Sequence, residues 1–286
     1  AETYFIKLGE YLKSLGNEVE YFGMADERNC VENRVEAYTE NIDFHKKSLK
    51  HITYPFKIIY SVNARKQIRK VLSDFKPDVV HLNNFNYQLT PSIIYEIKKH
   101  NIPIVYTAHD VQLVCPNHKL KNDYTDGLCR KCDGGKYFEC VKNNCVHSSK
   151  IRSILGAVEA WYYKLRHTYK MIDLTVCPSE FMEKEISRND DINGRTVTMY
   201  NFIDKIKPLG AECENYVLYF GRYSEEKGIS NLVKAAKKLS NIPFVFAGKG
   251  ELENEVNSAD NIKNVGFKTG DELRNIIEKA LFTVLP

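Results

Sequence analysis

Tyr216-Val217-Leu218-Tyr219-Phe220-Gly221-Arg222-Tyr223-Ser224-Glu225-Glu226-Lys227-Gly228 is the stretch on which the fold turns. Its five opening apolar and aromatic residues predict a strand buried on both faces, as in a parallel sheet. Gly221 lets the backbone turn closely at the strand end. A helix over residues 228–239 then turns Ile229, Leu232, Val233 and Ala236 to one side. Arg222 offers a planar fork for phosphate. Lys227 adds a compact cation near a helix N-terminus, where backbone N–H groups already favour an anion. The bland alternative makes both cations surface charges paired with Glu225 and Glu226, and for the motif alone it would stand. The next strand, 242–247, runs into Gly248-Lys249-Gly250, whose missing side chains permit close approach of a nucleotide or sugar. The two strand ends together point to a ligand carrying a diphosphate.

Outward from that stretch, strands are expected at 262–267 and 281–285, with a helix over 271–280. The sequence stops there, so this second domain is expected to be incomplete. Toward the N-terminus, apolar strands at 19–22, 78–82, 102–107, 173–177 and 196–200 alternate with helices at 3–15, 92–99, 151–170 and 180–187. Residues 202–214, with Pro208 and Gly210 and little periodicity, read as a linker. The expected class is α/β, with two Rossmann-like doubly wound domains, 1–201 and 215–286, facing a cleft. Ligands of this architecture sit outside the carboxyl ends of the strands.

The chain has 286 residues, 43% hydrophobic and 27% charged, which is ordinary for a globular protein with two cores. No run approaches the ~20 apolar residues of a membrane span. No segment reads as a signal peptide, and the opening Ala1 reads as the interior of a longer frame or a trimmed chain. A net charge of +4 is too small to argue for nucleic acid, and none is expected as a partner. Residues 45–70 nevertheless hold Lys46, Lys47, Lys50, Lys57, Arg65, Lys66, Arg69 and Lys70 without an acidic residue. Such a run reads first as a solvated helix face with its core side. Its second reading is a surface for anionic lipid, which would suit a cytoplasmic protein peripheral on the inner face of a membrane.

Gly221-Arg222, Lys227-Gly228 and Phe246-Ala247-Gly248-Lys249-Gly250-Glu251 together resemble the family 4 glycosyltransferases, which have the GT-B fold. The resemblance extends to Ala1-Glu2-Thr3, His109-Asp110, Pro178-Ser179-Glu180-Phe181 and Asn201-Phe202-Ile203-Asp204. It implies an acceptor-side N-terminal domain and a nucleotide-sugar donor domain. It also implies retaining transfer of a sugar from a nucleoside diphosphate sugar to a glycan or lipid-linked acceptor, without a catalytic metal. Arg222 and Lys227 would stabilise the departing diphosphate, and His109 would line the cleft near the transferred sugar. Gly221, Gly248 and Gly250 would border the donor, with Gly266 and Phe267 beside the base. The family's first strand with its Gly-rich loop and its paired glutamates would lie outside residues 1–286, so this stretch alone is expected to have little or no activity.

A polar stretch over 115–147 is more than a minimal Rossmann domain needs. It carries Cys115, Cys129, Cys132, Cys140 and Cys145, with His118 and His147. Cys129-x-x-Cys132 is a ligand pair of the kind used for structural zinc, which is the first reading. Reduced thiols come second and disulfides last, while an iron–sulfur cluster stays open on spacing alone. Two other classes of function compete with the transferase. One is a zinc-containing binding module, against which stand the irregular spacing and Asp123, Asp126, Asp133 and Glu139. The other is a different GT-B enzyme such as a nucleotide-sugar epimerase, which the phosphate grip would also suit.

Overall fold

A computed structural model describes residues 2–41, 54–86, 88–122, 127–203 and 207–286. They form two compact units, Ala1–Phe202 and Ile203–Pro286.

The first unit contains α1 (Glu2–Ser14), α2 (Tyr54–Ile59), α3 (Val62–Phe75), β1 (Val80–Leu82), α4 (Ser92–Lys99) and β2 (Ile104–Thr107). It continues with α5 (Phe138–Lys142), α6 (Lys150–Leu165), β3 (Leu174–Cys177), α7 (Glu180–Ile186) and β4 (Thr196–Thr198). The strands run parallel in the order β1-β2-β3-β4, with Val80 opposite Ile104, Val105 opposite Leu174 and Thr175 opposite Thr196. Ala64, Ile68 and Leu72 of α3 pack with Ile93, Ile94 and Ile97 of α4 on the core that holds Ile104, Tyr106 and Cys177. Burying each large aliphatic side chain contributes about 1.5–3 kcal/mol. The helix starts are set by side-chain caps. Ser61 accepts from the Ala64 N–H at 3.1 Å, and Ser179 accepts from that of Met182 at 3.2 Å.

Three expectations change here. Residues 19–22 form no strand: no ladder partner lies beside them among the described residues, and Tyr21 and Phe22 pack inward from irregular backbone. The helix expected to reach residue 170 ends at Leu165, because His167 takes a left-handed conformation (φ 48°) and a short 3₁₀ turn, Thr168–Met171, follows. The basic segment is also less of a surface than its composition suggests. Arg65 reaches Glu96 at 2.7 Å and Arg69 reaches it at 2.5 Å, while Glu96 itself is buried on α4. Two of its cations therefore hold α3 to α4. Lys66 and Lys70 do face solvent, whereas Lys46, Lys47 and Lys50 lie outside the described residues. No helix of the described residues is long and apolar enough to cross a membrane.

The second unit contains β5 (Val217–Phe220), α8 (Ile229–Lys238), β6 (Phe244–Ala247), α9 (Glu253–Val256), β7 (Ile262–Asn264), α10 (Gly270–Lys279) and β8 (Phe282–Thr283). Its parallel order is β7-β6-β5-β8. Ile229, Leu232, Val233 and Ala236 of α8 are buried with Val217, Tyr219, Phe244 and Phe246. The helical face read from the sequence is thus the packed one. From β5 the chain moves outward to β6 and β7, and then returns to β8 on the other side of β5. The strand order therefore reverses at the carboxyl end of β5, where Gly221 and Arg222 stand.

Candidate functional site

Parallel strands bring the loops after β5, β6 and β7 to one edge of the second sheet. Gly221-Arg222, Gly248-Lys249-Gly250 and Gly266-Phe267 are consequently neighbours, though up to 46 positions separate them in sequence (267 minus 221). The Gly221 N–H donates to the Ala247 carbonyl at 3.0 Å, and the Tyr223 N–H donates to that of Lys249 at 3.0 Å. Two tyrosines, not singled out in the sequence, complete the framework. Tyr219 donates its hydroxyl to the Arg222 carbonyl at 2.9 Å. Tyr223, fully buried, donates to Asn264 Oδ1 at 3.0 Å, and the same oxygen accepts the Gly266 N–H at 3.0 Å.

The glycines have a different reason from the one expected. A Cβ on Gly248 would lie 1.9 Å from the Gly221 carbonyl oxygen, and one on Gly250 would lie 2.3 Å from that of Tyr223. The chain's own backbone fills the space that was read as an approach for ligand. Gly221 has φ 147° and a Cβ there would meet Tyr219 Oη at 2.9 Å. Gly228 (φ 69°) closes the 3₁₀ turn Glu225–Lys227 and stands directly before α8. Lys227 therefore lies at the helix entrance, where the N-terminal dipole favours anions.

Arg222 and Lys227 are exposed at this edge. Arg222 Nη1 stands 3.8 Å from Glu226 Oε1, both side chains being more than half exposed, so the pairing with Glu226 exists but is loose. Exposed pairs of this kind contribute about 0–1 kcal/mol and yield readily to a stronger anion. Lys249 Nζ lies over the Phe267 ring, 5.2 Å from its centroid, and that ring is exposed. A cavity of about 830 Å³ lined by Tyr216, Asn241, Phe244 and Ile276 lies at the strand starts, the edge opposite these loops.

In the first unit, His109 follows β2 and Asn83 follows β1, so both stand at the carboxyl edge of that sheet. His109 Nε2 lies 3.0 Å from Asn83 Oδ1, and Tyr4 of α1 meets the imidazole edge-on at 5.3 Å. Burial holds the imidazole down at about 4, with His81 adding to the effect and Asp110 opposing it. Asp110 accepts the Gln112 N–H at 2.9 Å and sits 3.2 Å from His118 Nδ1. Glu159 on α6 lies close enough to His118 to feel its charge, yet burial pushes its carboxyl up to about 7. Asn83 joins His109, and His118 joins Asp110, only through folding.

Cys115, Cys129, Cys132, Cys140 and Cys145 line one small cavity of about 10 Å³, with Asn117, Leu120 and Arg130. Burial and the neighbouring sulfurs hold Cys132 up at about 12 and raise Cys115, Cys140 and Cys145 as well. The insertion is tied to α7 by Arg130 on buried Glu185 and to the turn that follows α7 by Arg188 on Asp133. It is tied to α6 by Trp161 Nε1 on the Gly135 carbonyl at 2.9 Å.

Residues 1–206 match the family model for Glycosyltransferase Family 4, and residues 202–286 match that for glycosyl transferases group 1. A 42.6 kDa protein of a cps region in Klebsiella pneumoniae is 25% identical over 239 residues, covering 80% of this chain and 56% of the relative. A glycosyltransferase of Methanocaldococcus jannaschii is 22% identical over 147 residues, covering 49% of this chain and 41% of the relative. The chain thus spans about half the length of the curated relatives it matches. The crystal structure of LpCGTa in complex with UDP is 14% identical, covers 97% of this chain and 70% of its own, and superposes with a TM-score of 0.51. That likeness is one of fold, the α/β GT-B class with parallel sheets expected from the sequence. With a first unit matched through its whole length and a second matched to its end, the chain belongs to Glycosyltransferase Family 4.

Proposed function

We propose that the protein to which this chain belongs transfers a sugar from a nucleoside diphosphate sugar to a glycan or lipid-linked acceptor, with retention of anomeric configuration. The observation that carries this reading is the gathering of Arg222, Lys227 and the Gly248–Gly250 loop at the edge where the strand order reverses. A crevice forms at such a reversal in an open parallel sheet, outside the strand ends. The structure of LpCGTa, one of those of like fold, holds UDP, a ligand of the proposed chemistry.

In this reading the departing diphosphate gains negative charge as its bond to the sugar lengthens. The Arg222 guanidinium and the Lys227 ammonium face that charge, together with the N-terminus of α8. A preorganised donor of this kind contributes about 2.7–4 kcal/mol to barrier lowering. Phe267, steadied by Lys249, offers a flat apolar surface beside the base. His109 serves the acceptor side as a neutral imidazole whose orientation Asn83 sets, suited to a hydrogen bond with a sugar hydroxyl. The anionic-membrane reading is narrower than the composition suggested, since Arg65 and Arg69 are engaged with Glu96.

Calorimetric titration of the whole natural protein with nucleoside diphosphates tests the donor site. Saturable binding that weakens at least tenfold in Arg222→Ala is expected. A folded protein that binds no nucleoside diphosphate would sink the proposal.

A further inference from the structure

Among the described residues, no three Cys, His, Asp or Glu groups stand at metal-holding geometry, the five thiols of the insertion included. The helix beside the insertion carries a different feature. We propose that the solvent face of α6 is a docking surface for an anionic lipid bilayer, with the helix lying in the plane of the interface. Ile151, Ile154, Val158, Trp161 and Leu165 follow one another at steps of three and four, so they share one stripe of the helix. Each is between 41% and 84% exposed. The residues that α6 buries are Ser153, Ala157 and Tyr163. The usual polarity of a surface helix is thus reversed, with small residues and one tyrosine inward and the large apolar side chains outward. Single exposed apolar residues need no explanation, but a continuous stripe of about 21 Å marks an interaction surface.

The charge around the stripe selects the partner. Residues 136–166, which comprise α6 and the α5 segment packed on it, hold Lys136, Lys142, Lys150, Arg152, Lys164 and Arg166. Against these stand only Glu139 and Glu159. All six cations except Lys164 are exposed, and none forms an ion pair among the described residues. Burial holds the Glu159 carboxyl up at about 7, so near neutral pH it cancels less charge than a free carboxylate would. Unpaired cations flanking an apolar stripe suit acyl chains beneath a layer of anionic headgroups. A second copy of this chain suits them less. Pairing two such stripes would bring both sets of cations together, with few acids to meet them.

Trp161 fits the same partner. Its Nε1 donates to the Gly135 carbonyl at 2.9 Å and its ring meets Tyr137 edge-on at 6.3 Å, while 42% of the residue stays exposed. An indole with its N–H satisfied and an apolar surface outward suits the boundary between headgroups and acyl chains. The lipid contact read from residues 45–70 is thereby moved to another part of the first unit, since Arg65 and Arg69 are committed to Glu96. Docking by α6 would set that unit against the surface to which a lipid-linked acceptor is confined. It does not rest on the transferase reading, because binding to a bilayer needs neither donor nor acceptor.

The test is co-sedimentation of the whole natural protein with vesicles of phosphatidylcholine and phosphatidylglycerol in equal parts, beside vesicles of phosphatidylcholine alone. Binding at least tenfold tighter to the anionic vesicles, and weakening as salt rises, is expected. Ile151→Glu combined with Leu165→Glu changes the two most exposed positions of the stripe. This variant should bind at least tenfold more weakly and unfold at an unchanged temperature. Lys142→Ala and Lys150→Ala should each weaken binding by about fivefold. Should the double variant fail to fold, brominated acyl chains give a second readout: they should quench tryptophan emission, and Trp161→Phe should remove the quenched part. No binding at low salt, equal binding to both vesicles, full binding by the folded double variant, or quenching unchanged in Trp161→Phe would each overturn the proposal. So would a solution dimer that the double variant separates, which would give the face to a second copy.

Discussion

Tyr223 Oη donates to Asn264 Oδ1 at 3.0 Å, and this one bond joins the loop after β5 to the last residue of β7 across the intervening strand. Asn264 also donates to Asn257 Oδ1 at 3.0 Å, so its side chain is held on both sides. Tyr223→Phe removes the hydroxyl and leaves the ring buried. A loss of about 1 kcal/mol in stability is expected, from denaturant titration. Nucleotide affinity should fall by about threefold or more, because Gly266 and Phe267 lose their anchor. Unchanged affinity would separate this bond from the site.

Gly248→Ala should be far more damaging than its one added methyl suggests. Its Cβ would need the space of the Gly221 carbonyl, 1.9 Å away, and that atom is backbone. The loop after β5 must shift, at a cost of about 1–3 kcal/mol. Thermal unfolding and nucleotide binding should both suffer. Gly266→Ala, where nothing lies within 4 Å, should show only the smaller cost of its left-handed φ of 72°.

Arg222→Ala and Lys227→Ala should leave stability within about 0.5 kcal/mol, since both side chains are exposed. Turnover of the whole protein should fall by about 10²-fold in each. Arg222→Lys should recover only part of that loss, because a point charge does not replace a planar fork. A rate unaffected by both substitutions would place the departing group elsewhere.

His109 should remain neutral from pH 5 to 8. Burial holds it near 4, whereas a free histidine titrates near ~6.5. Between those values the unfolded chain binds more protons than the folded one, so this contribution to stability is complete above about 6.5. It is lost as pH falls toward 4. A nitrogen-15 histidine titration checks this, and an inflection near 6.5 for His109 would overturn it. Any pH dependence of transfer between 6 and 8 must then arise from another group.

Glu96 is buried between Arg69 and Arg65, and their guanidinium groups hold its carboxyl down at about 2. The sign is opposite in origin but similar in direction: a lowered carboxyl stabilises above its unfolded value and loses that contribution as pH falls through about 2. Glu96→Gln should destabilise by roughly 2–3 kcal/mol. That is below the ~3–5 of a fully buried pair, because Arg69 is half exposed. Urea unfolding at neutral pH measures it.

Most of the sheet architecture was legible because parallel strands are apolar on both faces. Segments such as 217–220 and 244–247 need no partner information to be recognised. Residues 19–22 look similar locally, but a strand exists only where a neighbour supplies its hydrogen bonds, and none of the described residues does. The role of Arg65 and Arg69 was hidden for a related reason, since Glu96 lies 31 and 27 positions away. At the donor edge the cations and glycines were visible as residue types. The reason for Gly248 and Gly250 was not, because it depends on a carbonyl from the loop after β5. Tyr223 gave no signal, standing between Arg222 and Ser224 in a stretch that reads as polar surface.

The close fit of Gly248 and Gly250 against the backbone of residues 221–223 also bears on how such a protein can diversify. Positions 248 and 250 are sterically closed to every larger residue, whatever the ligand. Side chains at 249 and 267 project from that rigid seat into solvent and can be exchanged without disturbing the sheet. A lineage changing its donor would accumulate substitutions at those exposed positions, around an unvarying pair of glycines.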